Sequence, residues 1–137
     1  MGVKVLQLIP DKSVTDLRAY SHCSGYAGGV TVLLINLSNT TAISVNEIVT
    51  KTVGDLLALG SRQEYVFSSS EAASGDEIKI LQSKKVLLNG VLLQVDSDFT
   101  VPMLSPVVIS DDRPLIMAPL TYGFFVFPDA GLSVCQD

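Results

Sequence analysis

Hydrophobic and polar positions along this chain alternate in short bursts separated by turn residues, the pattern of antiparallel strands rather than of long helices. The strongest burst follows Gly28-Gly29, where Val30-Thr31-Val32-Leu33-Leu34-Ile35-Asn36-Leu37 runs on until Ser38 and Asn39 stop it. With a side-chain period of two, Val30, Val32 and Leu34 line one face, and Thr31, Leu33, Ile35 and Leu37 the other. Neither face is written for water. One calls for a sandwich partner and the other for more protein, so the strand suggests a domain that leans on something larger.

The same reading places strands at 3–9, 17–23, 42–49 and 64–67, with a polar loop over 68–76. Residues 51–60 are ambiguous, since Val53, Leu56, Leu57 and Leu59 also suit a turn or two of helix. Asn89-Gly90 between the apolar runs 85–88 and 91–94 is the preferred type I′ hairpin turn. Pro102, Pro106, Pro114 and Pro119 then cut the chain into short pieces, as strand starts and edges require. A last doubly apolar strand spans 120–127 and ends at Pro128. No internal repeat or linker interrupts the chain, so residues 1–137 read as a single all-β domain, a sandwich or a barrel.

At 137 residues a domain buries roughly two-thirds of its unfolded surface, enough for a real core. Mean hydropathy is +0.42 with 47% apolar residues, yet no apolar run approaches the roughly 20 residues that span a bilayer. The net charge of −5 disfavours nucleic acid as a partner. Lys84-Lys85, the only adjacent basic pair, reads as a solvated strand start. Leu6 stands where an N-myristoylation signal needs Ser or Thr, and 5–9 is too short for a signal peptide. Two features nonetheless look extracellular. Asn36-Leu37-Ser38 and Asn39-Thr40-Thr41 are adjacent N-glycosylation acceptors, and the even cysteine count, Cys23 and Cys135, is compatible with a disulfide that spacing alone does not show. Secretory markings without a secretory address lead to the expectation that Met1 is internal to a longer parent.

No catalytic, cofactor or metal site is expected from the residues. Glycosidic or proteolytic acid/base work needs two carboxylates held in a cleft, whereas the acids here, Asp76, Glu77, Asp96, Asp98, Asp112 and Asp129 among them, sit beside turn residues. Asp96-Ser97-Asp98 and Asp111-Asp112 lack the spacing of a calcium loop. His22 and Cys23 are neighbours on a strand and point to opposite faces, so they do not form a nucleophile pair. Gly25, Gly28 and Gly29 precede neither a Lys nor a helix, and read as loop glycines rather than a phosphate cradle.

In this order, several pieces resemble the C-terminal domain of heparanase-like proteins, the glycoside hydrolase family 79 β-glucuronidases, and above all the plant members. They are Met1-Gly2-Val3-Lys4-Val5-Leu6, Leu17-Arg18-Ala19-Tyr20-Ser21-His22-Cys23, the run from Gly28 to Thr41, Arg62-Gln63-Glu64-Tyr65, Leu81 to Gly90, and Ala118 to Pro128. The resemblance implies an accessory β-sandwich packed against a (β/α)₈ barrel, absent here, that carries the catalytic glutamates of a retaining endo-β-glucuronidase acting on glucuronic-acid-containing glycans. No glutamate of this chain matches a catalytic motif, so the chain alone is expected to be inactive. The resemblance also implies a Cys23–Cys135 disulfide joining the second strand to the C-terminal tail. It implies a glycoprotein of the secretory pathway, extracellular, vacuolar or lysosomal, with membrane association possible in the parent. Residues 50–61 depart from the family pattern. The alternative function is a free-standing carbohydrate-binding or interaction sandwich, disfavoured by the lack of Trp and by tyrosines and phenylalanines that fall in core strands.

Overall fold

The computed structural model describes residues 2–8, 13–45, 60–110 and 112–136; the ambiguous segment 51–59 and the end of the strand expected at 42–49 lie outside them. The described residues build an all-β fold with one short α-helix and two single-turn 3-10 helices. A large antiparallel sheet runs in the order β1 (Val5–Leu6), β2 (Leu17–Cys23), β3 (Val30–Asn36), β10 (Tyr122–Phe127), β5 (Ser61–Ser69), β6 (Val86–Leu88) and β7 (Val91–Leu92). On its edge away from β10, β5 pairs with β8 (Val107–Ser110) through its first half and with β6 through its second. A second sheet, β4 (Ile43–Val45) with β9 (Leu115–Met117), completes the described strands.

Alternation divides the large sheet into two faces. On the inner face Val30, Val32 and Leu34 of β3 and Phe125 and Phe127 of β10 pack with Leu115 and Met117 of β9, with Ile43 and Val45 of β4 behind them. The small sheet thus covers the large one, and this is the sandwich core. Full burial of each such side chain is worth about 1.5–3 kcal/mol, so this cluster dominates the stabilising side of folding. Gly123 lies in the inner row with Leu34 and Val66, and a Cβ there would stand 3.0 Å from the Phe125 ring and 3.2 Å from the Tyr65 carbonyl. The missing side chain makes room for the largest fully buried residue of the core.

Several boundaries differ from the sequence reading. The first strand is reduced to Val5–Leu6, because only these residues pair with His22 and Ser21. Strand β5 is longer than 64–67 at both ends, and the loop expected at 68–76 begins as strand and ends as a helix cap: the Asp76 carboxylate accepts from the amides of Ile78 and Lys79 at the start of α1 (Glu77–Gln82). Residue 120 is not extended. Leu120 has φ 51°, and the strand begins only at Tyr122. The hairpin turn is as expected, with Asn89 at φ 49° and Gly90 at φ 81°, the left-handed pair a type I′ turn needs.

Candidate functional site

The outer face of the large sheet is the feature that is not explained by stability alone. In register across the sheet, Tyr20, Leu33, Phe124 and Tyr65 form one row, and Arg18, Ile35, Tyr122 and Phe67 the next. Leu33, Ile35, Phe124, Val126, Tyr65 and Phe67 are only partly covered, and Tyr20 and Tyr122 are exposed. Helix α1 closes one end, where Ile80 and Leu81 face Ile35, Leu37, Phe67 and Tyr122 across an open apolar groove of about 270 Å³. The rings of Phe67 and Tyr122 stack at 5.0 Å, and Phe124 meets Phe67 edge-on at 6.3 Å. Contiguous apolar surface of this kind marks an interaction face. A further set of exposed apolar side chains, Phe99, Val101, Met103 and Val108, lies along the 99–108 segment.

Glu64, Asp96 and His22 are engaged in structural contacts. Glu64 is drawn into an ion pair with Arg62 at 2.6 Å, and Arg62, buried in spite of its charge, also donates to the carbonyls of Arg113 and Pro114. It clamps β5 to the entry of β9. Asp96 folds back on its own loop, its Oδ1 accepting from the amides of Asp98 and Thr100. His22 donates from Nδ1 to the Gly2 carbonyl at 3.0 Å, on the face opposite Cys23. Among the described residues no group of three or more His, Cys, Asp or Glu is placed to hold a metal ion, and no helix is long and apolar enough to cross a membrane.

Cys23 and Cys135 form a disulfide with Cα atoms 5.3 Å apart. The tail is pinned there by a second set of contacts, since the Gly28 amide donates to the Cys135 carbonyl at 2.8 Å and the Leu132 amide to the Gly28 carbonyl at 2.9 Å. Gly28, at φ 74°, adopts the left-handed conformation that this close approach requires.

The two glycosylation acceptors separate sharply. Asn36 is 1% exposed. Its Nδ2 donates to the carbonyls of Thr41, Met117 and Ala118 at 2.9–3.1 Å, and its Oδ1 accepts from the Ser38 amide at 2.9 Å. This side chain is the joint between β3, the following turn and β9. Asn39 is exposed, with Nδ2 donating to Glu77 Oε2 at 3.0 Å.

What the geometry defines is an all-β domain, cross-linked at its base, with a packed inner face, an apolar outer face and no catalytic constellation among the described residues. No family model matches the chain. It is similar to heparanase-like protein 1 of Arabidopsis thaliana, 33% identical over 99% of this chain and 28% of that protein, and to the baicalin-β-D-glucuronidase of Scutellaria baicalensis, 29% identical over 99% and 23%. The human protein named inactive heparanase-2 is 31% identical over 93% of this chain and 20% of its own length. The chain is a heparanase-like sequence, consistent with the C-terminal domain of these proteins, and it spans about a quarter of the length of the relatives it matches.

Proposed function

We propose that this chain serves as the accessory C-terminal β domain of a heparanase-like glycosidase and supplies no catalytic group itself. The observation that carries the proposal is the outer sheet face, whose rows of Leu33, Ile35, Tyr65, Phe67, Phe124 and Tyr122 are built for cover by further protein. The (β/α)₈ barrel of a parent chain is the proposed cover, and the glucuronic-acid-containing glycan is met by that parent, in the secretory pathway. Similar sequence in a protein named a glucuronidase and in one named inactive suits a part that supports the fold rather than performs the chemistry.

The purified chain should not turn over an aryl β-glucuronide, because a retaining glycosidase needs two carboxyl groups about 5–5.5 Å apart and Glu64 is committed to Arg62. Turnover that persists through repurification and follows the polypeptide would overturn the assignment. The alternative, a glycan-binding sandwich, has one observation in its favour: Tyr20 and Tyr122 are exposed on the outer face. Against it, Tyr122 spends one ring face on Phe67. Calorimetric titration with glucuronic-acid oligosaccharides distinguishes the two, with heat of binding expected only from a binding module.

A further inference from the structure

We propose that Asn89 is a deamidation site gated by the fold: the sheet keeps its side-chain amide intact, and opening of the β6–β7 hairpin commits it to aspartate and isoaspartate. Of the chain's four asparagines, Asn36, Asn39, Asn46 and Asn89, only the last precedes a glycine. Gly90 sets no side chain in the way of ring closure, so this pair is the most open to attack in an unfolded chain. In the folded chain a type I′ turn asks only for the backbone of Asn89, yet its side chain is engaged as well. Among the described strands, β5 pairs with β6 as far as Phe67 opposite Leu88, and with β8 from Glu64 opposite Val107. Asn89 fills the gap between them. Its Oδ1 accepts from the Val66 amide at 2.9 Å, its Nδ2 donates to the Glu64 carbonyl at 2.9 Å, and its own amide donates to the Val66 carbonyl at 2.8 Å. The side chain thus takes the place of a strand residue.

Deamidation undoes that arrangement. The Gly90 backbone nitrogen attacks Asn89 Cγ, the new C–N bond closes a five-membered imide, and the Cγ–Nδ2 bond breaks. Nδ2 leaves as ammonia, taking the proton that Gly90 gives up. Water then opens the imide, at Cγ to give aspartate or at the backbone carbonyl of residue 89 to give isoaspartate, whose main chain runs through the side chain. For the attack, Cγ must turn from β5 to the Gly90 nitrogen, and the hydrogen bonds that pin the amide at both ends oppose this. The route is local opening of this edge, where β7 has two residues and Val91 is exposed. The products do not fit back. Aspartate turns a carboxylate oxygen on the Glu64 carbonyl, acceptor against acceptor, and isoaspartate lengthens the backbone of the turn. Strand β6 carries Val86 and Leu88 opposite Ser69 and Phe67, so its loss strips one border from the apolar outer face.

The test keeps the full oxidised chain at mildly alkaline pH, one sample folded and one unfolded in guanidinium chloride with the disulfide intact. Peptide mapping follows the mass gain of deamidation at Asn89 against that at Asn39, which is exposed in the folded protein and serves as the internal reference. In the unfolded sample Asn89 should react well ahead of Asn39, and folding should cut that lead by at least about tenfold. Dilution of the aged, unfolded sample out of denaturant should then leave chains modified at position 89 depleted from the soluble refolded pool. An equal lead in both samples, no product at position 89 in the unfolded chain, or modified and intact chains refolding in equal proportion would each overturn the proposal.

Discussion

Replacing Cys135 by serine is expected to lower the unfolding free energy by about 2–5 kcal/mol, with reduction of the native protein giving a similar loss. The bond closes a loop between residues 112 apart, for which the chain-entropy estimate is about 4.7 kcal/mol, and strain or residual structure in the unfolded chain lowers that figure. The tail is the part that would be released first. Once free of Cys23, residues 132–136 keep, among the described contacts, the Gly28 pair of backbone bonds, the Lys4 contact to the Val134 carbonyl and the packing of Leu132 against the core. Urea unfolding followed by far-ultraviolet circular dichroism checks this: the midpoint should fall, and the slope should rise as the unfolded chain expands. An unchanged midpoint would show that the tail contributes nothing to the fold.

The second large effect is expected at Asn36. Its replacement by alanine removes the side-chain partner of the Thr41 and Met117 carbonyls and of the Ser38 amide, while the Ala118 carbonyl keeps the Thr121 hydroxyl, and each buried orphan costs about 1–3 kcal/mol. Water reaches Thr41, which is exposed, so the net loss should be about 3–5 kcal/mol, at the high end for a single substitution. Asn39→Ala, removing one exposed hydrogen bond, should stay within about 0.5 kcal/mol of the parent. Comparable denaturation midpoints for the two variants would contradict the assignment of Asn36 as a structural joint.

Much of the fold was legible because alternation and turn chemistry agree in this chain. The run at 30–37 and the Asn89-Gly90 turn each carry a mechanism, a two-sided apolar strand and a backbone that needs positive φ at both turn positions. The order of family-like segments, together with the paired cysteines, accounts for the rest of what could be read. What escaped reading was set by partners distant in sequence. Asp76 caps a helix of six residues, too short for its periodicity to stand out from a loop, although an acid before Ile78, Ile80 and Leu81 was a weak signal. Strands β8 and β9 are three or four residues long between prolines and become strands by pairing with β5 and β4. Arg62 reads as a surface charge, and only the approach of Glu64, Arg113 and Pro114 makes its burial tolerable. Asn36 belongs to an acceptor triplet, and only the carbonyls of β9 and its following residue, more than 80 positions away, turn it into core.

The outer face has the opposite status: its apolar pattern was visible in Thr31, Leu33 and Ile35, and the structure adds the neighbours from β2, β10 and β5 that make it a continuous surface. Sedimentation of the oxidised, refolded chain over a range of concentrations, paired with hydrophobic-dye binding, tests that surface most directly. The variant Leu33→Thr/Ile35→Thr/Val126→Thr keeps the inner core and the exposed Phe99 and Met103 unchanged, so it isolates the face. The wild-type chain should bind dye and associate as concentration rises, and the variant should sediment as a monomer with reduced dye binding. A wild-type chain that sediments as a dye-silent monomer at all concentrations would show that the sandwich is self-sufficient and that its outer face is not a docking surface.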